Sequence, residues 1–200
     1  MEVMSRHDPA LARALAVACR QKGALTRVQA RCAGLTDHRL HQLVQNEDWL
    51  NPVQGGYVVP TCDTYLGRCQ AALLVLPCAT LCGLTAARLH EFPTLPPCSD
   101  DEPIHLLLPP GSSRRRNKGV VLWYDAMSAE QQEQVHGLRA TSAARTLVDL
   151  LASGSRDTAA SLLDHAAEGG LVAPEELDEL RGALDTQPEA TRPDPVRPDT

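Results

Sequence analysis

The chain has 200 residues, 43% of them hydrophobic, enough to fill one ordinary core or a small and a medium one, which excludes disorder along the whole length. Only six residues are aromatic (Trp49, Tyr57, Tyr65, Phe92, Trp123 and Tyr124), so the core must be built mainly from Leu, Val and Ala, a composition that favours helices. The net charge of -6 excludes a generally basic nucleic-acid coat, but the acidity is local: residues 1–150 carry 15 Lys+Arg against 14 Asp+Glu, and residues 151–200 carry 4 against 11.

In chain order, Leu11–Arg20 is rich in Ala, Leu and Arg and is followed by Gly23, which predicts a first helix. Thr26 is placed to cap a second short helix, Arg27–Ala33, ended by Gly34, and Thr36 to cap a third, Asp37–Gln45. Two short helices around a Gly-containing turn read as a helix-turn-helix. Strand-like segments Asp48–Val53 and Tyr57–Val59 flank Gln54-Gly55-Gly56, a hairpin that reads as a wing. In the third helix Leu40, Leu43 and Val44 share one face, leaving His38, Arg39, His41, Gln42 and Gln45 outward.

Beyond residue 60, helices are expected over Tyr65–Leu76, stopped by Pro77, and over about Thr80–His90. Ile104–Leu108 and Val120–Tyr124 read as two strands able to pair as a hairpin whose tip carries Arg114, Arg115, Arg116 and Lys118. Further helices are expected over Thr141–Leu151, Asp157–Ala167 and about Pro174–Leu184, the last with Pro in its first turn. The Pro-rich residues 187–200 read as a disordered tail. The fold class expected is α+β, mainly helical: a winged helix-turn-helix over residues 1–60 and a mixed α/β domain with a small antiparallel sheet over 61–186.

The residues that carry a family resemblance run from Lys22-Gly23-Ala24-Leu25-Thr26-Arg27 through Ala33-Gly34-Leu35-Thr36 to Trp49 and Gly56-Tyr57-Val58-Val59. They continue with Thr141-Ser142-Ala143-Ala144-Arg145-Thr146-Leu147-Val148-Asp149-Leu150, Leu163-Asp164-His165-Ala166 and Gly170-Leu171-Val172-Ala173-Pro174-Glu175-Glu176-Leu177. On these the chain resembles the AbiEi-like antitoxin and transcriptional-regulator family common in actinobacteria. The resemblance implies the antitoxin half of a type IV toxin-antitoxin pair, whose winged helix represses its own operon and whose partner is a nucleotidyltransferase-like toxin. This chain departs from it at Gly83 and Thr85, where the family often has His and Ser, and at Asn51 and Gln54, where many members have basic residues.

For a helix-turn-helix on duplex DNA, Arg39 is placed to donate twice to guanine and Gln42 to pair with adenine, with His38, His41 and Gln45 beside them. Thr26, Arg27 and Thr36, with Gln54 on the wing, are placed to meet the phosphate backbone. The basic run from Arg114 to Lys118 suits a polyanion, and it reads equally as a solvated loop tip. Residues 1–60 hold seven basic against five acidic side chains, an excess thin enough that tight binding is expected to need a dimer or several copies. The alternative is a protein-interaction module that engages a toxin or adaptor and has little affinity for DNA.

Catalytic and cofactor motifs are missing. Lys22 and Lys118 do not follow an acidic residue at endonuclease spacing, and Gly111-Ser112 with Asp125 lacks the second acid, at Met127, that a nucleotidyltransferase needs. P-loop, zincin and nucleophile-elbow motifs are absent, so no enzyme and no cofactor is expected. Cys78 and Cys82 are spaced to share a helix face, but the seven cysteines form no paired knuckles and are expected reduced and metal-free. Arg145 and Asp149, four apart, read as a stabilising ion pair. The longest apolar run, Ala71–Leu76, is far short of the roughly 18 residues of a membrane helix, and the N-terminus lacks a signal-peptide pattern, so a cytoplasmic location is expected.

Overall fold

The computed structural model describes residues 8–60, 64–92, 95, 97–112, 118–153, 163–164, 166–170 and 172–186. They form two compact units divided after Pro77, with Lys118 and Gly119 grouped with the first. The first unit contains α1 (Pro9–Cys19), β1 (Ala24–Thr26), α2 (Arg27–Cys32), α3 (Asp37–Asn46), β2 (Leu50–Val53), β3 (Gly56–Val58) and α4 (Thr64–Val75). Helix α1 starts where Asp8 accepts from the backbone N–H of Ala10 and Leu11, at 3.0 and 3.2 Å, with Pro9 at the first helical position.

The three strands make an antiparallel sheet in the order β1-β3-β2. Val53 pairs with Gly56, so the hairpin closes on Gln54-Gly55 alone, with Gly55 at φ 87. Asn51 holds the turn by donating to the carbonyls of Val53 and Gly56 at 3.0 and 2.7 Å. Ala14, Ala18, Leu25, Ala30, Leu35, Leu40, Leu43 and Trp49 fill the core beneath the helices. Strand β1 was not expected from the sequence; it is three residues long and too short to show an alternation.

Helix α4 lies on this sheet, with Ala71 packed against Ala24 and Val58. A boundary at residue 60 therefore differs from the one the packing makes, after Pro77.

The second unit contains β4 (Thr80–Leu81), α5 (Gly83–Leu89), β5 (Ile104–Leu108), β6 (Val120–Tyr124), β7 (Gln132–Val135), β8 (Leu138–Thr141), α6 (Ala143–Ser153) and α7 (Pro174–Thr186). Its sheet is mixed, in the order β6-β5-β4-β8-β7. The expected hairpin of Ile104–Leu108 with Val120–Tyr124 is incorrect: Ile104 pairs with Val120 and Leu108 with Tyr124, so β5 and β6 run parallel. Both strands are near-continuous apolar runs, as buried parallel strands are, and the turn-like Pro109-Pro110-Gly111 starts a crossing connection. The sheet is accordingly mixed and not antiparallel.

Two expected helices also begin later than anticipated. Thr80 and Leu81 pair with Leu107 and Leu106, so the helix starts at Gly83, and Thr141 pairs with Gln132, so α6 starts at Ala143. Strands β7 and β8 join through His136 and Gly137, at φ 51 and 71, the two consecutive left-handed residues of a tight hairpin turn. Leu147, Leu163, Ala166, Val172 and Leu177 pack with Ala87 and Phe92 in this unit's helical core. Most of the expected helix 157–167, and the tail 187–200, lie outside the described residues. Among the described residues no helix is long and apolar enough to cross a membrane.

Candidate nucleic-acid interface

Helices α2 and α3 are fixed by their caps. Thr26 Oγ1 accepts from the Gln29 backbone N–H at 3.2 Å while Gln29 Oε1 accepts from the Thr26 N–H at 2.8 Å, a reciprocal capping box. Thr36 Oγ1 accepts from the Arg39 N–H at 3.1 Å and caps α3. Between them Gly34 takes φ 101, and a Cβ there would stand 3.2 Å from that of Ala10, so the turn needs glycine for conformation and for space.

The outward face of α3 divides into exposed and more covered side chains. His38, His41 and Gln45 are exposed, as is Gln54 on the β2–β3 turn. Gln42 is half-buried and hydrogen-bonds through Nε2 with His38 Nε2 at 3.1 Å. Arg39 folds back along its helix: it pairs with Glu47 at 2.8 Å and lies 4.0 Å from Asp8, leaving its side chain 23% exposed. Leu40 and Leu43 are buried, as the periodicity requires.

Arg27, the first residue of α2, reaches Asp37, the first residue of α3. Its Nε and Nη2 donate to Asp37 Oδ1 and Oδ2 at 2.8 and 2.6 Å, with both side chains about half exposed. Asp37's hydrogen bond and charge hold the Arg27 guanidinium above its usual range, and the same hydrogen bond holds the Asp37 carboxyl below the usual carboxylate range. Burial pushes the nearby Tyr57 hydroxyl up. The Arg27 backbone N–H donates to the Gly55 carbonyl at 2.8 Å, tying the start of α2 to the β2–β3 turn.

Three neighbours were missed by sequence reasoning: Asp37 itself, Arg31 and Val28. Arg31 follows Arg27 by one helical turn, is exposed, and its charge also lowers the Asp37 carboxyl. That i, i+4 spacing of two arginines was the signal available in the sequence. Val28 is 70% exposed on the same helix. Of the basic run, Lys118 is exposed, while Arg114, Arg115 and Arg116 lie outside the described residues.

Elsewhere, Arg145 and Asp149 form the expected ion pair at 2.9 Å, and Arg145 also reaches Asp125 Oδ2 at 2.6 Å and Gln131 Oε1 at 3.2 Å. Cys78 and Cys82 do not share a helix face: Cys78 is an exposed turn residue and Cys82 is buried just before α5. Cys62 lies outside the described residues. Among the described residues no cluster of three or more His, Cys, Asp or Glu could hold a metal ion.

Residues 78–192 match the AbiEi antitoxin C-terminal domain. No curated protein matches the chain. Among solved structures, the RV2827C protein from Mycobacterium tuberculosis is similar in fold, with a TM-score of 0.54 over 92% of this chain and 73% of that one, at 18% identity. The matched family segment spans more than half of the sequence and takes in the whole mixed sheet with α5, α6 and α7, and on this ground the chain belongs to the AbiEi antitoxin family.

Proposed function

We propose that the chain is an antitoxin-type transcriptional regulator that binds double-stranded DNA through its first unit, read as a winged helix-turn-helix, and represses its own operon. On this reading α3 enters the major groove and the β2–β3 hairpin is the wing. The observation that carries it is the exposed row His38, His41 and Gln45, on a helix anchored from below by Leu40 and Leu43 and flanked by the arginines of α2. These side chains offer donors and acceptors to base edges, with Gln42 beside them. Arg39 joins them only by releasing Glu47. Arg31, Thr26, Thr36, Gln54 and Lys118 supply backbone contacts, and a second copy of the chain on the DNA doubles a small cationic surface. A nucleotidyltransferase-like toxin is the protein partner that family membership favours.

A mobility-shift titration with the region upstream of its own gene tests the reading. Wild type should shift that duplex ahead of an unrelated one, and a His38→Ala, His41→Ala, Gln45→Ala variant should lose the preference. A second reading, a protein-docking surface with little DNA affinity, is favoured by the neutralised Arg27 and Arg39 and by exposed Val28 and Leu50. It predicts no shift of either duplex at any salt concentration, whereas phosphate binding must weaken as salt rises.

A further inference from the structure

We infer that Arg27, held side-on by Asp37, is the residue that reads guanine in duplex DNA; the inference rests on the DNA-binding reading above. A guanidinium has five N–H donors in a fixed plane. The Asp37 carboxylate occupies one edge, through Nε and Nη2, which leaves Nη1 and the second Nη2 proton as a parallel pair at the tip. That pair matches the O6 and N7 acceptors of guanine. Position agrees with chemistry. Asp37 is the first residue of α3, so the guanidinium bonded to it stands at the N-terminal end of that helix, where a recognition helix presents its base-contacting residues. The backbone of Arg27 is fixed by Gly55, and its side chain remains 53% exposed.

Charge decides between base and phosphate. An arginine that grips a phosphate gains from its full positive charge, and a carboxylate across one edge removes that gain and repels the anion. A guanine edge is uncharged, so a pre-oriented, nearly neutral Arg–Asp unit loses nothing there. The outer lone pairs of Asp37 can also accept from a neighbouring cytosine N4 amino group. Arg39, the arginine on α3 itself, is committed to Glu47 and is less exposed than Arg27.

The test uses the full-length chain, a duplex library with a randomised core, and a fixed duplex made only of A·T pairs. Wild type should enrich a G·C pair at one position. Arg27→Lys keeps the charge but lacks the planar fork, and should lose discrimination at that position by about tenfold or more. Asp37→Asn should lose discrimination at the same position while binding the A·T duplex more tightly, because a repelling carboxylate is gone. Thermal melts of both variants should match wild type, since the pair is exposed. Retained guanine preference in both variants, or a uniform loss over all sequences in Arg27→Lys, would overturn the inference and leave the DNA reading standing. A wild type that enriches no sequence and binds neither probe removes the DNA reading, and this inference with it.

Discussion

Asp37 stands at the start of a helix, between two arginines, where every nearby charge favours its ionised form. Because its carboxyl is held low, its pairing with Arg27 persists from neutral pH through the ordinary carboxylate range and is lost only as pH falls through the lowered value. A carbon-detected NMR titration should therefore place the Asp37 midpoint lower in wild type than in Arg27→Ala; an identical midpoint in both proteins would mean the pair is open in solution. Arg145 is the opposite case, an arginine only 9% exposed against Asp149 at 4%. Burial pulls its guanidinium down, but the bonds to Asp149 and Asp125 outweigh that and leave it raised. Arg145→Met takes the ion-pair partner from the buried Asp149 carboxylate and should destabilise the protein by roughly 3 kcal/mol in urea unfolding. A loss close to zero would show that the cluster is fully hydrated.

At the level of elements, the first unit depends on a close approach of helix to sheet at Gly67. A Cβ there would come 2.6 Å from Val58 Cγ1 and 3.0 Å from the Lys22 carbonyl oxygen, one a stiff β-branched side chain and the other backbone. Gly67→Ala gains helix propensity but must push α4 off the strands, so a net loss of about 1–2 kcal/mol is expected. A stabilised variant would show that the helix can slide freely on the sheet. The cap of α3 gives a milder and cleaner test. Thr36→Ala removes the acceptor for the Arg39 N–H, and should cost about 1 kcal/mol in chemical unfolding, with the largest rise in amide exchange confined to the first turn of α3.

At the scale of the whole molecule, the packing of α4 defines what can stand alone. A fragment of residues 1–77 retains the helix that covers Ala24 and Val58, whereas one ending at residue 60 leaves that face of the sheet bare. The longer fragment should unfold in one cooperative transition and the shorter one should melt broadly and bind a hydrophobic dye. Equal cooperativity would return the boundary to residue 60. The charge distribution belongs to the same scale: with seven cations against five anions in the first 60 residues, the proposed DNA binding should depend only shallowly on salt for one copy, and a steep dependence would indicate several chains on one duplex.

Local chemistry made much of this protein legible in its sequence. The caps Thr26 and Thr36, the turn at Gly34 and the Leu40–Leu43 stripe are properties of a few consecutive residues, and each is found where the residue types require it. The Arg145–Asp149 pair, one helical turn apart, was readable for the same reason. Strand direction was not readable, because a parallel and an antiparallel partner bury the same apolar run and only the path between them distinguishes β5 with β6 from a hairpin. Nor were strands as short as β1 and β4, whose identity comes from the neighbours they pair with. The fate of the arginines was decided last of all: Arg27 meets Asp37 across ten positions because the Gly34 turn aims two helices whose relative direction no local pattern encodes, and Arg39 lies along its own helix to Glu47 at the C-cap. Residue types and their spacing set which side chains cap, bury and carry charge; packing sets which of those charges are paired, since pairing across elements depends on distances that only the assembled helices fix.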